Sequence, residues 1–166
     1  MAEKDIIITE KLDYGGIFKF SEVYEYAHSW FKEEKYGVIE EKYSEKISGN
    51  AKEIEIEWKC AKEVSDYFKI EQKVKWEVKN MVDVEVEIEG KKKKMQQGRL
   101  RLEIKGVLIK DTKSSWDISP WWRFMRDAYN KYIVPQRVDA MENKVKDDVR
   151  KFKDEMKSFL DLTGKR

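Results

Sequence analysis

The chain has 166 residues, of which 41% are charged and 13% are aromatic, and its formal net charge is +2. The aromatic content excludes a disordered chain, and the balance of 35 basic and 33 acidic residues argues against a dedicated nucleic-acid-binding protein with a basic field. The single cysteine excludes an intramolecular disulfide, and no apolar run approaches the roughly 18 residues that span a bilayer. We therefore expect a soluble, cytoplasmic protein that folds as one domain over residues 1–166.

The first elements along the chain are predicted to be a strand, a helix and a second strand. Residues 6–12 form the predicted first strand. Ser21 is the predicted N-cap of a helix that stops at Gly37, and apolar residues at three- and four-residue spacing give this helix one buried face. A strand over residues 38–47 follows.

Charged and apolar residues alternate through the centre of the chain, as they do in strands with one buried and one solvated face. This pattern predicts strands over residues 53–61, 67–79, 82–89 and 99–110. Residues 90–98 form the predicted connection between the last two strands, and Gly106 is expected to interrupt the last strand as a bulge or bend. The short connections leave no room for crossover helices, so we predict an antiparallel sheet of six to seven strands.

The last third of the chain changes to helical periodicity. Ser119 and Pro120 begin a predicted long helix, and Pro135 is expected to kink it near residues 133–134. Beyond the kink, apolar residues over Val138–Phe159 alternate spacings of three and four and form a narrow seam that fits a sheet or another helix. The predicted fold class is therefore α+β, with a curved antiparallel sheet on which an N-terminal helix and a long kinked C-terminal helix pack.

The order of these elements resembles the helix-grip fold of the START-like and polyketide-cyclase-like superfamily. The resemblance covers nearly the whole chain and rests on element order, and it departs in one respect, because many members carry two short helices after the first strand and one is predicted here. It implies that the curved sheet and the long helix enclose a cavity for an apolar or amphipathic ligand.

The chain also resembles a group of uncharacterised archaeal proteins with a similar aromatic-rich pattern. The segments that carry this resemblance are residues 55–58, 64–68, 83–86 and 121–133. The composition, rich in Glu and Lys and poor in Asn, Gln, Cys and His, is similar to that of thermophilic proteins. We therefore expect an archaeal, thermophilic origin, and the resemblance implies no activity.

The predicted function is non-enzymatic binding of an apolar or amphipathic small molecule between the sheet and the long helix. Such pockets combine an apolar lining with a few convergent polar groups. Gln72 and Tyr43 would orient the polar end of the ligand. The predicted cavity wall consists of Tyr43, Ile56, Trp58, Gln72, Val74, Trp76 and Val86.

No catalytic or metal-binding constellation is predicted. His28 is the only histidine, and it is expected at the surface or boundary of the first helix. Cys60 shares the inward register of Trp58 and is expected to be a buried core residue. These two residues cannot form a Cys/His zinc site, and no acid–base pair stands out, so we expect neither an enzyme nor a cofactor.

Three polar features, namely Glu41, Gln72 and a run of lysines, are each open to two interpretations. An inward Glu41 needs a partner, a raised pKa or a wet cavity, whereas a twist or bulge in its strand would place it in water. Gln72 fits either a wet cavity or a satisfied core hydrogen bond. The run Lys91–Lys94 would attract phosphates, although lysines at a hairpin end are also ordinary solubilising residues.

The alternative predicted function is protein–protein interaction or assembly without a ligand, in a homodimer or with another protein. The seam of the C-terminal helix would bury against the partner. Trp116, Trp122 and Phe124 form the predicted partner surface, whereas Trp121 is expected to continue the apolar stripe. Packing of the exposed tryptophan on a strand edge is the other interpretation of this cluster.

Overall fold

A computed structural model of the chain describes residues 3–65, 67–110 and 134–164, together with positions 121, 124, 125 and 128. The described residues form five strands and two helices, which confirms the α+β class. The four separate positions also have helical backbone conformation. The elements in chain order are β1 (Glu3–Phe18), α1 (Phe20–Glu33), β2 (Gly37–Ser48), β3 (Ala51–Glu63), β4 (Phe68–Ile88), β5 (Lys91–Lys110) and α2 (Val134–Gly164).

The five strands form one antiparallel sheet in the order β1-β5-β4-β3-β2. The strands β2 to β5 are joined to one another as hairpins. The first strand, β1, pairs with the last strand, β5, so that β1 and β2 are the two edges of the sheet. Between β4 and β5 the connection is only Glu89 and Gly90, which have φ angles of 52° and 79°. Positive φ at both central residues is the requirement of a type I′ turn, whose twist matches that of the paired strands.

The predicted count of six to seven strands is not confirmed. The two strands predicted over residues 67–79 and 82–89 are one strand, β4, with a bulge between Lys79 and Val82. Asn80 takes up the bulge with a φ of 55°. A bulge adds one residue and shifts the alternation by one, so in the sequence it has the same signature as a turn. The connection predicted over residues 90–98 is wrong, because β5 already begins at Lys91.

A second bulge decides the position of Glu41. The register of β2 against β3 shifts between Glu40 and Lys42, and Glu41 is exposed. The interpretation with a bulge in this strand is therefore confirmed, and no carboxylate is buried at this position. Glu40 lies opposite Trp58, is also exposed, and accepts a hydrogen bond of 3.1 Å from the Tyr24 hydroxyl.

The bulge or bend predicted at Gly106 is wrong, because β5 is continuous and keeps its register with β4 there, and Gly106 instead has a packing role. The register shift lies on the neighbouring strand β1, between Ile6 and Ile8, while Gly106 itself pairs with Gln72. A Cβ atom on Gly106 would lie 2.6 Å from Val145 Cγ1 and 2.8 Å from a Val149 methyl. The missing side chain therefore lets α2 approach the sheet closely.

Both helices pack on the same face of the sheet, and the core lies between them and the strands. The ring of Phe31 in α1 lies 4.5 Å from that of Phe152 in α2 and 6.3 Å from that of Trp58 in β3. Along α2, the seam residues Val145, Val149, Phe152 and Met156 are completely buried. The apolar seam is thus occupied within the chain. The kink predicted near residues 133–134 involves a residue outside the described ones.

Candidate functional site

The strands β4 and β5 continue as a pair beyond their neighbours. The pairing of β3 with β4 ends at Met81, and the pairing of β1 with β5 ends at Gln96. The pairing of β4 with β5 continues to Ile88 and Lys91. Residues 82–95 therefore form a two-stranded extension of the sheet, here called the arm, and the predicted lysine run lies on its second strand.

The arm begins at the bulge of β4, opposite Gly98. A Cβ atom on Gly98 would lie 2.8 Å from the Met81 Cα and 3.1 Å from the carbonyl oxygens of Asn80 and Lys79. Because these neighbours are backbone atoms, they cannot turn aside as the end of a side chain could. A bulge also increases the local twist of a strand pair. Gly98 is therefore needed for the geometry with which the arm leaves the sheet.

Gln96 connects the base of the arm to the first turn of α1. Its Oε1 accepts a hydrogen bond of 2.9 Å from the Phe20 amide, and its Nε2 donates one of 3.3 Å to Asp83. The predicted N-cap Ser21 is wrong, because Lys19 occupies that position and makes no side-chain cap. The side chain of Gln96, 76 residues away in the sequence, thus accepts the hydrogen bond of the Phe20 amide at the start of α1, where a helix usually has an N-cap residue of its own. The hydrogen bond from Gln96, with the nearby charge of Lys94, lowers the pKa of Asp83.

A groove of about 660 Å³ opens between the arm, the start of α1 and the start of β3. Its volume lies within the range of ~300–1,000 Å³ that is usual for small-molecule sites. Ile88 and Met95 give it an apolar part, and its four lysines outnumber its two acids. The lining residues are Lys19, Glu22, Lys52, Asp83, Ile88, Lys93, Lys94, Met95 and Gln96.

The electrostatics of the groove favour an anion. Four lysines and two acids leave a formal charge of +2, and the N-terminal end of α1 adds the positive end of a helix dipole. The ion pairs at its walls are loose, at 3.6 Å for Lys94 with Asp83 and 3.7 Å for Lys19 with Glu22. Among the described residues no carboxylate lies within ion-pair distance of Lys93. Ammonium groups held this loosely can turn toward an incoming anion.

Four apolar residues of the predicted cavity wall do come together, but inside the core. Trp58 and Trp76 lie 5.1 Å apart between ring centroids, and both are essentially inaccessible, as are Ile56 and Val74. Aromatic rings of α1 cover the tryptophans, with Tyr24 at 5.0 Å from Trp58. These side chains therefore fill the space that they were predicted to enclose.

The other predicted wall residues lie elsewhere. Val86 is half-buried on the arm. Tyr43 is 53% exposed on the edge strand β2, where its hydroxyl donates a hydrogen bond of 3.3 Å to Glu45. Neither residue lines the groove between the arm and α1.

Gln72 is buried beside a polar contact between the sheet and α2. The Tyr36 hydroxyl donates a hydrogen bond of 2.6 Å to Asp148, and Lys144 lies 3.6 Å from the same carboxylate. Burial, together with the hydrogen bond to Asp148, raises the pKa of Tyr36, and the neighbouring Gln72 opposes this shift. The amide of Gln72 makes no hydrogen bond with the described residues. The Tyr36–Asp148 contact fastens the start of β2 to α2.

The outer face of the sheet carries alternating charges. Lys75 stands directly between Glu57 and Glu103 on the neighbouring strands, and a cleft of about 230 Å³ lies among these side chains. Arg101 forms an ion pair of 2.8 Å with Asp13 of β1. Opposite charges across strands are typical of a solvated sheet face, and the three acids and three lysines around this cleft leave no excess of one sign in it.

No metal-binding cluster is present in the part of the chain that the structure describes. Three or more Cys, His, Asp or Glu side chains come together nowhere in it at metal-binding distance. His28 is exposed, with its ring 6.0 Å from that of Trp58. Cys60 is completely buried, and burial raises the pKa of its thiol. Within the same residues, none of the helices combines the length and the apolar character needed to cross a membrane.

The predicted partner surface is described only in part. Phe124 is 63% exposed, and Trp121, which was expected in the apolar stripe, is 64% exposed. The expectation that Trp121 lies on the apolar stripe is wrong, because its side chain is mostly exposed. Trp116 and Trp122 lie outside the described residues.

Comparison with protein-family models, with curated proteins and with solved structures finds no match to this chain. The site is therefore defined by its own geometry. Sequence reasoning identified Lys93 and Lys94 but missed Lys19, Lys52 and Asp83. No local signal marks these three residues, because only the pairing of the strands and the packing of α1 on the sheet bring them to one groove.

Proposed function

We propose that the protein is a non-enzymatic, cytoplasmic binding protein of the helix-grip type that holds an amphipathic anion in the groove between the arm and α1. The observation that carries this proposal is the lining of the groove, in which Ile88 and Met95 lie beside an excess of lysines. The order of elements along the chain supports the helix-grip class. An archaeal, thermophilic origin rests on composition and on the resemblance described above.

The position of the proposed ligand differs from the position predicted between sheet and long helix. Trp58 and Trp76 occupy that interior, so a ligand there would have to displace packed aromatic rings. Displacing them would cost several kcal/mol, on the order of the cost of removing a large core side chain. The groove, by contrast, requires only the reorientation of exposed lysines.

Titration with the fluorescent probe anilinonaphthalene sulfonate, an aromatic anion, tests the proposal. We expect saturable binding to the wild-type protein. The variant K93S/K94S removes two lining ammonium groups and should raise the dissociation constant by about tenfold or more, because each charge-assisted hydrogen bond contributes ~1.5–3 kcal/mol.

The matched control is K91S/K92S, which removes the same charge from the same strand but alters no lining residue. We expect this variant to bind the probe as the wild type does. Equal losses in both variants would mean that the probe responds to net charge alone, and unchanged binding in K93S/K94S would refute the groove. Native mass spectrometry of gently purified protein would show a natural ligand as an adduct that is lost on denaturation.

A second candidate function, interaction with another macromolecule, is favoured by the exposure of Trp121 and Phe124. Exposed aromatic side chains in contact with each other mark interaction surfaces more often than structural ones. The seam of α2 does not contribute to this function, because its residues Val145, Val149 and Phe152 are buried against the sheet. Size-exclusion chromatography with light scattering tests this function, because the variant W121A/F124A should abolish an assembly that the wild-type protein forms.

A further inference from the structure

Two cations lie directly opposite each other on the outer face of the sheet, the face on which neither helix packs. Lys79 of β4 pairs with Arg99 of β5 in the antiparallel register, and both side chains are exposed. Their neighbours Val78 and Leu100 are buried on the inner face. Like charges in directly opposite positions destabilise a strand pair. The fold therefore retains an unfavourable contact next to the bulge from which the arm begins.

The other directly opposed like charges of the sheet are compensated by ion pairs. In each of them at least one member lies within 3.6 Å of an oppositely charged group. These pairs are Lys59 with Lys73, Lys73 with Lys105, and Glu55 with Glu77. Among the residues that the structure describes, neither Lys79 nor Arg99 has an acid at ion-pair distance. A rule of sheet packing is thus broken here without compensation, and such exceptions are expected at functional sites.

A third cation adjoins this pair and forms a cleft with it. Arg101 lies two residues after Arg99 on the same face of β5, and the three cations line a cleft of about 50 Å³ together with Glu77. Since about 10–15 Å³ of cavity volume accommodates one water molecule, the cleft accommodates about three to five atoms of that size. This is the size of a tetrahedral oxyanion. On the β1 side, Gly15 lies opposite Arg99, so no side chain limits access there.

The charges of the cleft favour a phosphate group. Three cations and Glu77 give the lining a formal charge of +2, and Glu77 is itself engaged by Lys75 at 3.4 Å. The ion pair of Arg101 with Asp13 joins its Nε atom to the carboxylate at 2.8 Å, and a guanidinium has further donors in the same plane. A phosphate carries about 1.5–2 negative charges at neutral pH and three acceptor oxygens, enough for all three cations, whereas a carboxylate has one charge and two oxygens.

We propose that Lys79, Arg99 and Arg101 form a binding site for a phosphate group on the outer face of the sheet. The ligand is inorganic phosphate or a small phosphomonoester. Guanidinium groups bind phosphate oxygens through paired hydrogen bonds, and the lysine adds a point charge. A bound phosphate also removes the uncompensated repulsion between Lys79 and Arg99. The site is independent of the groove between the arm and α1, because none of its residues lines that groove.

Titration of the full chain with inorganic phosphate, followed by amide shifts in NMR spectra, tests the proposal. The wild-type protein should show saturable shifts centred on Lys79 and Arg99. The variant K79Q/R99Q should raise the dissociation constant by about tenfold or more, because two charge-assisted contacts are lost. The matched control is K73Q/K105Q, which removes two directly opposed lysines from the same face but no residue of the cleft. It should bind phosphate as the wild type does.

The variant R99E separates loss of the site from loss of the fold. Its new carboxylate lies opposite Lys79, so the urea midpoint should rise in phosphate-free buffer while phosphate binding is lost. Unchanged binding in R99E, an equal loss in K73Q/K105Q, or the absence of saturable wild-type binding at these residues would overturn the proposal.

A second titration with glycerol phosphate identifies the source of the phosphate group. Tighter binding of glycerol phosphate than of inorganic phosphate would identify a phosphomonoester as the ligand, and equal or weaker binding would identify the free ion. Either result supports the site, provided that K79Q/R99Q loses the binding of both probes.

Discussion

Replacing Gly106 with alanine tests how closely α2 approaches the sheet. The added Cβ would lie 2.6 Å from Val145 Cγ1, 2.8 Å from a Val149 methyl and 3.0 Å from a methyl of Ile8. Carbon atoms in contact prefer ~3.5–4.0 Å, so the substitution creates overlaps of up to about 1 Å on three sides. The colliding atoms belong to β-branched side chains, two of them buried and that of Ile8 half-buried, whose few rotamers leave them little room to turn away.

The expected loss follows from two opposing contributions. Overpacking a core typically costs ~1–3 kcal/mol, whereas alanine in place of glycine at an unstrained position stabilises by ~0.4–1 kcal/mol through the unfolded chain. The net loss in the free energy of unfolding should therefore be about 1–2 kcal/mol. In a chain of this length that corresponds to a fall in Tm of roughly 2–8 °C.

Urea unfolding followed by circular dichroism measures this loss, and Gly15 supplies the control. A Cβ atom on Gly15 in β1 would meet no atom within 4 Å, so G15A should leave stability unchanged or raise it slightly. In a V145A background, where one colliding methyl is absent, G106A should cost measurably less than it does in the wild type. If G106A is as stable as G15A, α2 does not pack on the sheet at this distance and the reasoning is refuted.

Three further predictions concern buried or crowded groups. Tyr36→Phe removes the hydrogen bond to the mostly buried Asp148, so it should lower the free energy of unfolding, measured by urea titration, by ~1–3 kcal/mol. A loss near zero would mean that water replaces the hydroxyl. Burial raises the pKa of the Cys60 thiol above its unfolded value of ~8.5, so the thiol's contribution to the free energy of unfolding is complete below pH ~8.5 and decreases above it, by up to ~1.4 kcal/mol per pH unit. The variant C60A should therefore show a smaller loss of stability with rising pH than the wild type. An unchanged slope would contradict the burial of the thiol. Gly98→Ala forces a Cβ atom to 2.8 Å from the Met81 Cα, and it should lower both the stability of the protein and the affinity of the groove for the probe. A loss of stability without a loss of affinity would mean that the bulge does not shape the groove.

The face of each central strand that reaches the core could be predicted from the sequence, whereas the pairing of β1 with β5 could not. Side-chain alternation is a local property, and a strand with one buried face must repeat its apolar residues every second position. The alternation therefore predicts an inward position for Trp58 and Trp76, and both are buried. The same reasoning applies to Val145 and Phe152, whose helical spacing predicts one apolar face of α2. Both residues are buried.

The number of strands could not be predicted from the same pattern. A bulge and a turn both interrupt alternation, and only the pairing partner distinguishes them. Between Lys79 and Val82, β5 continues alongside β4 and makes the interruption a bulge, so the two predicted strands become one. The glycine that permits it, Gly98, lies opposite on the other strand and carries no local signal of that role.

The sequence by itself determined the secondary-structure periods, the apolar faces and the chemical character of the lysine run, because each is a property of neighbouring residues. The tertiary structure decided where the groove lies, and it decided that aromatic side chains fill the space that was predicted to be a cavity between the sheet and the long helix. Phe20 and Gln96 meet across 76 residues, and Lys19, Lys52 and Lys94 line one groove only because the pairing of the five strands and the packing of α1 on the sheet bring α1 to the base of the arm. Contacts of that separation depend on the whole fold, since no local pattern fixes the distance between two elements until the core between them has packed.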